Sequence, residues 1–139
     1  MTRYAPTAVA AIICLTIANG CHDTVDSERI PFAPVRLELA PQGTWDIYGV
    51  HGFGQGRYFV RTGNSADQQP KNFPYTDLSY TGFGGLLLVA DLDNLPLVYD
   101  LACPVERKQS VRVVYNPDTQ LATCPECKSQ YNVCEHSGS

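Results

Sequence analysis

Two loops that begin with Cys-Pro decide the fold of this chain, and both lie in its C-terminal part. They read Cys103-Pro-Val-Glu and Cys124-Pro-Glu-Cys127-Lys-Ser-Gln-Tyr. Between them lie a strand-like run at 110–115 and the turn Asn116-Pro-Asp. Because one hairpin's length of chain separates the loops, we expect them to lie side by side. Cys103 would then be near Cys124 and Cys127, as in cysteine knuckles that bind metal.

Around these loops the chain has the period-two pattern of half-buried strands. Val35, Leu37 and Leu39 alternate with Arg36 and Glu38, which separates a core face from a solvent face. Short runs bounded by turn residues predict strands at 35–39, 45–50, 57–61, 85–90, 97–101, 111–115 and 131–133. No segment keeps the apolar period of about 3.6 residues that is typical of a helix over several turns. The sequence therefore predicts an all-β domain, a small antiparallel sandwich or barrel.

Two glycine-rich segments, 52–56 and 82–85, are predicted to be tight turns in which glycine supplies a positive φ. The first contains Gly-x-Gly-x-Gly, but strand-like residues follow it and provide no helix N-terminus for a phosphate. Dinucleotide binding is therefore not expected. The second leads into the apolar run 86–90, which is typical of a strand buried on both faces.

The composition argues against several classes of function. The chain has 10 Lys and Arg against 14 Asp and Glu, and its formal net charge is -4. Nucleic-acid binding is not expected, because affinity for phosphate comes from clustered Lys and Arg and the longest basic run is Arg107-Lys108. The carboxylates form no pair at a recognisable spacing, and no nucleophile lies near a base in the sequence. We therefore assign no catalytic residue and expect no enzymatic activity.

The N-terminus has the features of a secretory signal. One basic residue, Arg3, precedes an apolar stretch at 8–18 that is too short to span a membrane. Small residues then lead to Cys21, which resembles a bacterial lipobox with Ala18 where Leu is usual. The resemblance implies that Cys21 is diacylated and becomes the new N-terminus. The alternative is an ordinary signal peptide with Cys21 free or disulfide-bonded.

The segment from about residue 96 to 133 resembles the cluster-binding subdomain of Rieske-type proteins. In that family a loop C-x-H and a loop C-x-x-H hold a [2Fe-2S] cluster, with two His in place of two Cys on one iron. Cys103 and Cys124 match the two cysteines, and Ser129 and Tyr131 match the small and aromatic positions that follow. Val105 and Cys127, however, stand where the two His ligands belong. The whole chain is similar to bacterial lipoproteins whose Rieske-like domain lacks the His pair.

These resemblances divide the chain into three parts. They imply a lipoprotein signal peptide at 1–20, a lipidated flexible tether at 21–29 and a Rieske-like β domain at 30–139, with a cysteine-rich subdomain at about 96–135. The expected location is the cell envelope, with the lipid at Cys21 inserted in a membrane and the outer membrane of a Gram-negative bacterium as the predicted site. The sequence identifies no protein partner.

Four cysteines in the β domain are candidate metal ligands: Cys103, Cys124, Cys127 and Cys134. In an oxidising compartment they would pair as disulfides, for which three pairings exist. Alternatively they would hold zinc as a structural site, with His136 as a substitute for Cys134. All-cysteine ligation also suits a [2Fe-2S] cluster, but the leader lacks the twin-arginine signal expected for export with the cluster in place.

A dithiol redox site at Cys124-Pro-Glu-Cys127 is not favoured, because residues 128–133 are strand-like and a redox Cys-x-x-Cys opens a helix. The sequence thus predicts a cell-envelope lipoprotein with a degenerate Rieske-like domain. This domain would be a structural or binding module with a cysteine site that holds disulfides or zinc. The alternative is a [2Fe-2S] electron-transfer protein.

Overall fold

The computed structural model describes residues 29–61 and 71–135, which form short antiparallel strands and one short helix. The elements are β1 (Val35–Arg36), α1 (Thr44–Tyr48), β2 (Gly56–Phe59), β3 (Tyr80–Thr81), β4 (Leu86–Ala90), β5 (Pro96–Asp100), β6 (Val114–Asn116), β7 (Leu121–Thr123) and β8 (Gln130–Asn132). The predicted all-β class is therefore confirmed. The predicted signal peptide, Cys21, nearly all of the tether and His136 lie outside the described residues.

The strands form three antiparallel sheets, with the orders β1-β3, β2-β4-β5 and β6-β7-β8. In the second sheet, β4 is central and pairs with both β2 and β5. All five residues of β4 are buried, as its continuous apolar run predicts. In the part of the chain that the structure describes, no helix is long and apolar enough to cross a bilayer.

Strand β4 supplies side chains to both parts of the hydrophobic core. Leu87 and Val89 belong to the part that also contains the buried cysteines, whereas Leu86 and Leu88 belong to the part around Phe59. This division follows from the alternation of side chains along a strand, because successive residues point to opposite faces. The cysteines are thus built into one of the two cores of the domain.

The predicted strand at 45–50 is wrong, because this segment contains the helix α1. The Thr44 hydroxyl accepts the N–H of Ala40 at 2.7 Å, and the N–H of Gly49 bonds to the carbonyl of Trp45 at 2.7 Å. Such local bonds close a single turn that is too short to produce a helical apolar period. Trp45 and Tyr48 are three positions apart and both pack against the core around Phe59.

The glycine turn at 82–85, which leads into β4, packs against the segment that precedes the first Cys-Pro loop. Gly82 and Gly85 have φ values of 70° and 110°, as the sequence predicts for tight turns. A Cβ atom on Gly84 would meet the backbone nitrogen of Ala102 and lie 2.8 Å from its Cα atom. Since Ala102 directly precedes Cys103, the close approach of Gly84 positions the first Cys-Pro loop.

We expect Gly84→Ala to lower the free energy of unfolding by about 2–3 kcal/mol, because the added methyl group must displace backbone rather than a flexible side chain. The matched control is Gly52→Ala, since a Cβ at Gly52 meets no atom within 4 Å. Urea unfolding of both variants measures the difference. Equal stability of the two variants would contradict the role given to Gly84.

Candidate metal centre

Both Cys-Pro loops are connections between paired antiparallel segments. The first loop follows the isolated bridge between Ala102 and Arg112, and the N–H of Cys103 bonds to the carbonyl of Val111 at 3.1 Å. The second loop joins β7 to β8, and the N–H of Cys124 bonds to the carbonyl of Ser129 at 2.9 Å. Each cysteine therefore stands at the first position of a hairpin connection.

The two loops close by the same kind of turn. The N–H of Arg107 bonds to the carbonyl of Cys103 at 2.8 Å, and the N–H of Lys128 bonds to the carbonyl of Cys124 at 3.2 Å. Arg107 and Lys128 both have a positive φ, 53° and 64°. For a non-glycine residue this conformation costs about 1 kcal/mol or more, so the surrounding hairpins must hold it in place.

Main-chain donors surround the sulfurs of Cys103 and Cys124, which are both fully buried. The N–H groups of Val105 and Glu106 donate to the sulfur of Cys103. The corresponding groups of Glu126 and Cys127 donate to the sulfur of Cys124. Because N–H donors stabilise negative charge on sulfur, this arrangement suits thiolates better than neutral thiols.

The structure brings three of the four predicted ligands together. The sulfurs of Cys103 and Cys127 are 3.6 Å apart, and with the sulfur of Cys124 they form a triangle in which all distances are within 4.8 Å. In a tetrahedral zinc site with Zn–S bonds of about 2.3 Å, neighbouring sulfurs are about 3.8 Å apart. The triangle is therefore small enough to form one face of a zinc site. No disulfide is formed among these cysteines or Cys134 in the described chain.

Two hydroxyl groups contact the sulfur triangle. The Tyr131 hydroxyl lies 3.5 Å from the sulfur of Cys103, and the Ser129 hydroxyl lies 3.2 Å from the sulfur of Cys127. Both residues occupy the positions that the resemblance to Rieske-type proteins singled out. They add polar contacts at the edge of the site.

The environment shifts the pKa values of the Cys103 and Cys124 thiols in opposite directions. Burial opposes the ionisation of Cys103, but the surrounding donors outweigh burial and lower the pKa of its thiol to about 7. Burial raises the pKa of Cys124. Burial, together with the neighbouring Cys103, raises the pKa of Tyr131 to about 12. One thiolate therefore forms readily near neutral pH, whereas a second one needs a cation.

Cys134 lies outside the sulfur triangle. Its sulfur is 3.4 Å from the hydroxyl of Tyr115, which donates a hydrogen bond to the carbonyl of Gly54 at 2.7 Å. Tyr131 is in β8, whereas Cys134 lies two residues beyond the end of that strand. Cys134 is in the same core as Cys103 and Cys124 but is not among the three clustered sulfurs, and the spacing of the cysteines alone contains no indication of this.

The residues present do not fit a Rieske-type cluster, which needs two imidazole ligands. Val105 takes the first His position and is 53% exposed, and Cys127 takes the second. A [2Fe-2S] cluster with four thiolates needs a fourth cysteine, and Cys134 is not part of the triangle. A single zinc ion fits better, because three thiolates and one further ligand complete its tetrahedron.

Comparison with protein-family models, curated proteins and solved structures gives no match to this chain. The function must therefore be argued from the geometry of the site. The sequence does contain a pattern that indicates that the two Cys-Pro loops have the same conformation, which the spacing of the cysteines does not show. Both loops read Cys-Pro, then two residues, then a basic residue, at 103–107 and at 124–128.

We expect Tyr131→Phe to raise the pKa of Cys103 above about 7 in the reduced, metal-free protein, because a donor to the thiolate is lost. The matched control is Tyr80→Phe, an exposed tyrosine in β3. The ultraviolet absorbance of thiolates, followed against pH, measures the change. An unchanged titration in Tyr131→Phe would contradict the contact.

The same lowered pKa predicts a pH-dependent stability of the reduced, metal-free protein. An acid whose pKa is lower in the folded state stabilises the fold above its unfolded pKa, and this stabilisation is lost as pH falls through the folded value. For Cys103 the free energy of unfolding should therefore rise between about pH 7 and about pH 9. The rise should be smaller in Tyr131→Phe, which urea unfolding at several pH values would show.

Proposed function

We propose that the domain is a non-catalytic structural module in which Cys103, Cys124 and Cys127 bind one zinc ion. The sulfur triangle carries this proposal, because its three sulfurs lie within 4.8 Å of one another at the ends of two hairpins. Zinc accepts thiolate ligands, has no redox chemistry and imposes no preferred geometry beyond four-coordination. Its role is to cross-link the two Cys-Pro loops.

Zinc would act on the stability of the whole fold. Cys103 and Cys124 belong to the same core as Leu87 and Val89 of the central strand. A metal bound to these cysteines connects the second sheet with the C-terminal sheet through the core. Because an unfolded chain does not preform such a site, the free energy of zinc binding adds to the free energy of folding.

A disulfide between Cys103 and Cys127 is a second candidate, supported by their separation of 3.6 Å. Two thiols would pass two electrons and two protons to an external disulfide, and the new bond would join the same two loops. An oxidising compartment favours this reaction. It would leave Cys124 as a buried thiol without a covalent partner.

We further propose that the domain belongs to a lipid-anchored protein of the cell envelope. The lipobox-like residues before Cys21 support a lipid-anchored protein of the cell envelope, and the Cys-Pro loops with Ser129 and Tyr131 support a Rieske-like arrangement without a Rieske cluster. The membrane would be reached through the lipid on Cys21. Electron transfer through a [2Fe-2S] cluster is the alternative function, and it would require bound iron.

The purified, reduced chain is expected to bind one zinc ion, which raises the free energy of unfolding by about 4 kcal/mol when free zinc exceeds the dissociation constant about a thousandfold. Cys103→Ser and Cys124→Ser should lose this stabilisation. Cys134→Ser is the matched control and should keep it, because Cys134 is outside the triangle. Metal analysis and thermal unfolding with and without zinc give the measurements.

Other results would identify the alternatives. A protein without metal or free thiols at Cys103 and Cys127, and with a peptide that links them in mass spectrometry, would replace the zinc site by the disulfide. Two irons per chain with strong visible absorbance would replace it by an iron-sulfur cluster. Equal loss of zinc in Cys134→Ser and Cys124→Ser would contradict the three-cysteine site.

The lipid anchor predicts that Cys21→Ala moves the protein from the membrane fraction to the soluble periplasmic fraction. Cys14→Ala is the matched control, since Cys14 lies within the apolar stretch of the predicted signal and should leave membrane association unchanged. Fractionation of cells that produce each variant measures the distribution. Membrane association of Cys21→Ala would count against lipidation.

A further inference from the structure

The two Cys-Pro loops correspond position by position, and only one of them has a second cysteine. Cys127 is three residues after Cys124, and the residue three after Cys103 is Glu106. A pair of knuckles that each provide ligands at these two positions makes a complete tetrahedral site. Glu106 therefore stands at the position from which the missing ligand would come.

The burial of the side chains supports this correspondence. In the first loop Pro104 and Val105 are exposed, whereas the Glu106 side chain is only 23% exposed. In the second loop Pro125 and Glu126 are exposed and Cys127 is half-buried. The third residue after each leading cysteine is thus the one that the loop turns towards the protein.

The hydrogen bonds of the backbone show the same correspondence. The N–H of Glu106 donates to the sulfur of Cys103, as the N–H of Cys127 donates to the sulfur of Cys124. The next residue, Arg107 or Lys128, closes each loop with a positive φ. Since the two backbones follow the same path, Glu106 occupies in its loop the position that Cys127 occupies in the other, and its carboxylate lies beside Lys108, outside the sulfur triangle.

We propose that Glu106 is the fourth ligand of the zinc site and completes it together with Cys103, Cys124 and Cys127. This inference rests on the proposed zinc function. Carboxylate oxygen is an established zinc ligand, with Zn–O bonds of about 2.0–2.2 Å. The longer Glu side chain has more rotatable bonds than Cys, so its carboxylate can adjust to a metal held by three sulfurs.

The ion pair of Glu106 is weak enough for zinc to replace it. An oxygen of its carboxylate lies 3.5 Å from the ammonium group of Lys108, whose side chain is 66% exposed. An ion pair with one exposed, solvated partner at this distance contributes little to stability. A rotation of the Glu106 side chain away from Lys108 and towards the sulfurs therefore costs little compared with a zinc–carboxylate bond.

The other groups near the sulfurs are poorer ligands. The hydroxyls of Tyr131 and Ser129 are neutral contacts of Cys103 and Cys127. Cys134 contacts Tyr115 instead. Of the two carboxylates in these loops, Glu106 is half-buried and Glu126 is exposed.

Basic residues directly follow the proposed ligands of both loops in the sequence. Three thiolates and a carboxylate give the zinc complex a net negative charge. Arg107 and Lys108 follow Glu106, and Lys128 follows Cys127. Positive groups near an anionic metal complex lower its free energy, so the basic residues support four anionic ligands.

Cobalt(II) is the probe that tests the assignment, because it takes the tetrahedral place of zinc and its absorbance reports its ligands. The full, reduced chain, in mild detergent, is titrated with cobalt and then with zinc. Glu106→Gln should weaken binding at least about tenfold, since loss of even an indirect metal contact costs that much. Glu126→Gln, a carboxylate of the second loop that is exposed, is the matched control and should bind as wild type does.

A gain-of-ligand variant makes the test independent of any loss of folding. Glu106→Cys should bind zinc more tightly, and its sulfur-to-cobalt charge-transfer absorbance should increase by about one third, from three thiolates to four. An unchanged absorbance in Glu106→Cys, or equal affinity of Glu106→Gln and Glu126→Gln, would overturn the role of Glu106 and leave the three-cysteine site intact. A reduced wild-type chain that binds neither cobalt nor zinc would overturn the zinc function itself.

Discussion

The carboxylate of Asp100 is the contact on which the position of the site depends. One oxygen accepts the N–H groups of Gly84 and Ala102 at 2.9 and 2.8 Å, and the other accepts the N–H of Phe83 at 2.7 Å. These bonds join the glycine turn before β4 to the segment that leads into Cys103. Hydrogen bonds to a charged acceptor are stronger than neutral ones, and three N–H groups would lose their partner without it. The first Cys-Pro loop is therefore held by the second sheet as well as by its own hairpin.

The sulfur site depends on the central strand in a different way. Side chains of β4 pack into both parts of the core, and the part with Leu87 and Val89 also contains Cys103 and Cys124. With Cys134, three buried sulfurs thus replace hydrocarbon in a small core built from strands of two to five residues. Short strands bury little apolar surface, so a covalent or metal link between loops contributes a large share of stability in a domain of this size.

The sequence predicts the parts of the fold in which a local pattern and tertiary packing agree. The apolar run of β4 and the closeness of Cys103 to Cys124 and Cys127 follow from residue type and spacing. The helix α1 and the two- or three-residue strands β3 and β7 do not, because elements so short show no period. The separation of Cys134 from the site depends on the direction of its side chain, which cysteine spacing does not contain. The half-buried position of Glu106 likewise follows only from the path of the backbone.

The donors around the sulfurs favour a metal over a disulfide. Cys103 and Cys124 each receive two main-chain N–H groups, and the sulfurs of Cys103 and Cys127 are 3.6 Å apart. A disulfide sulfur is neutral and a weak acceptor, so the main-chain hydrogen bonds to the Cys103 sulfur would become much weaker. Cys124 would stay a buried thiol. A zinc ion keeps all three sulfurs as thiolates, which are the best acceptors for those donors. Its charge also removes the conflict between burial, which opposes ionisation of Cys124, and donors that favour it. Zinc therefore accounts for the third cysteine and for the matched donors of both loops, whereas a disulfide accounts for neither.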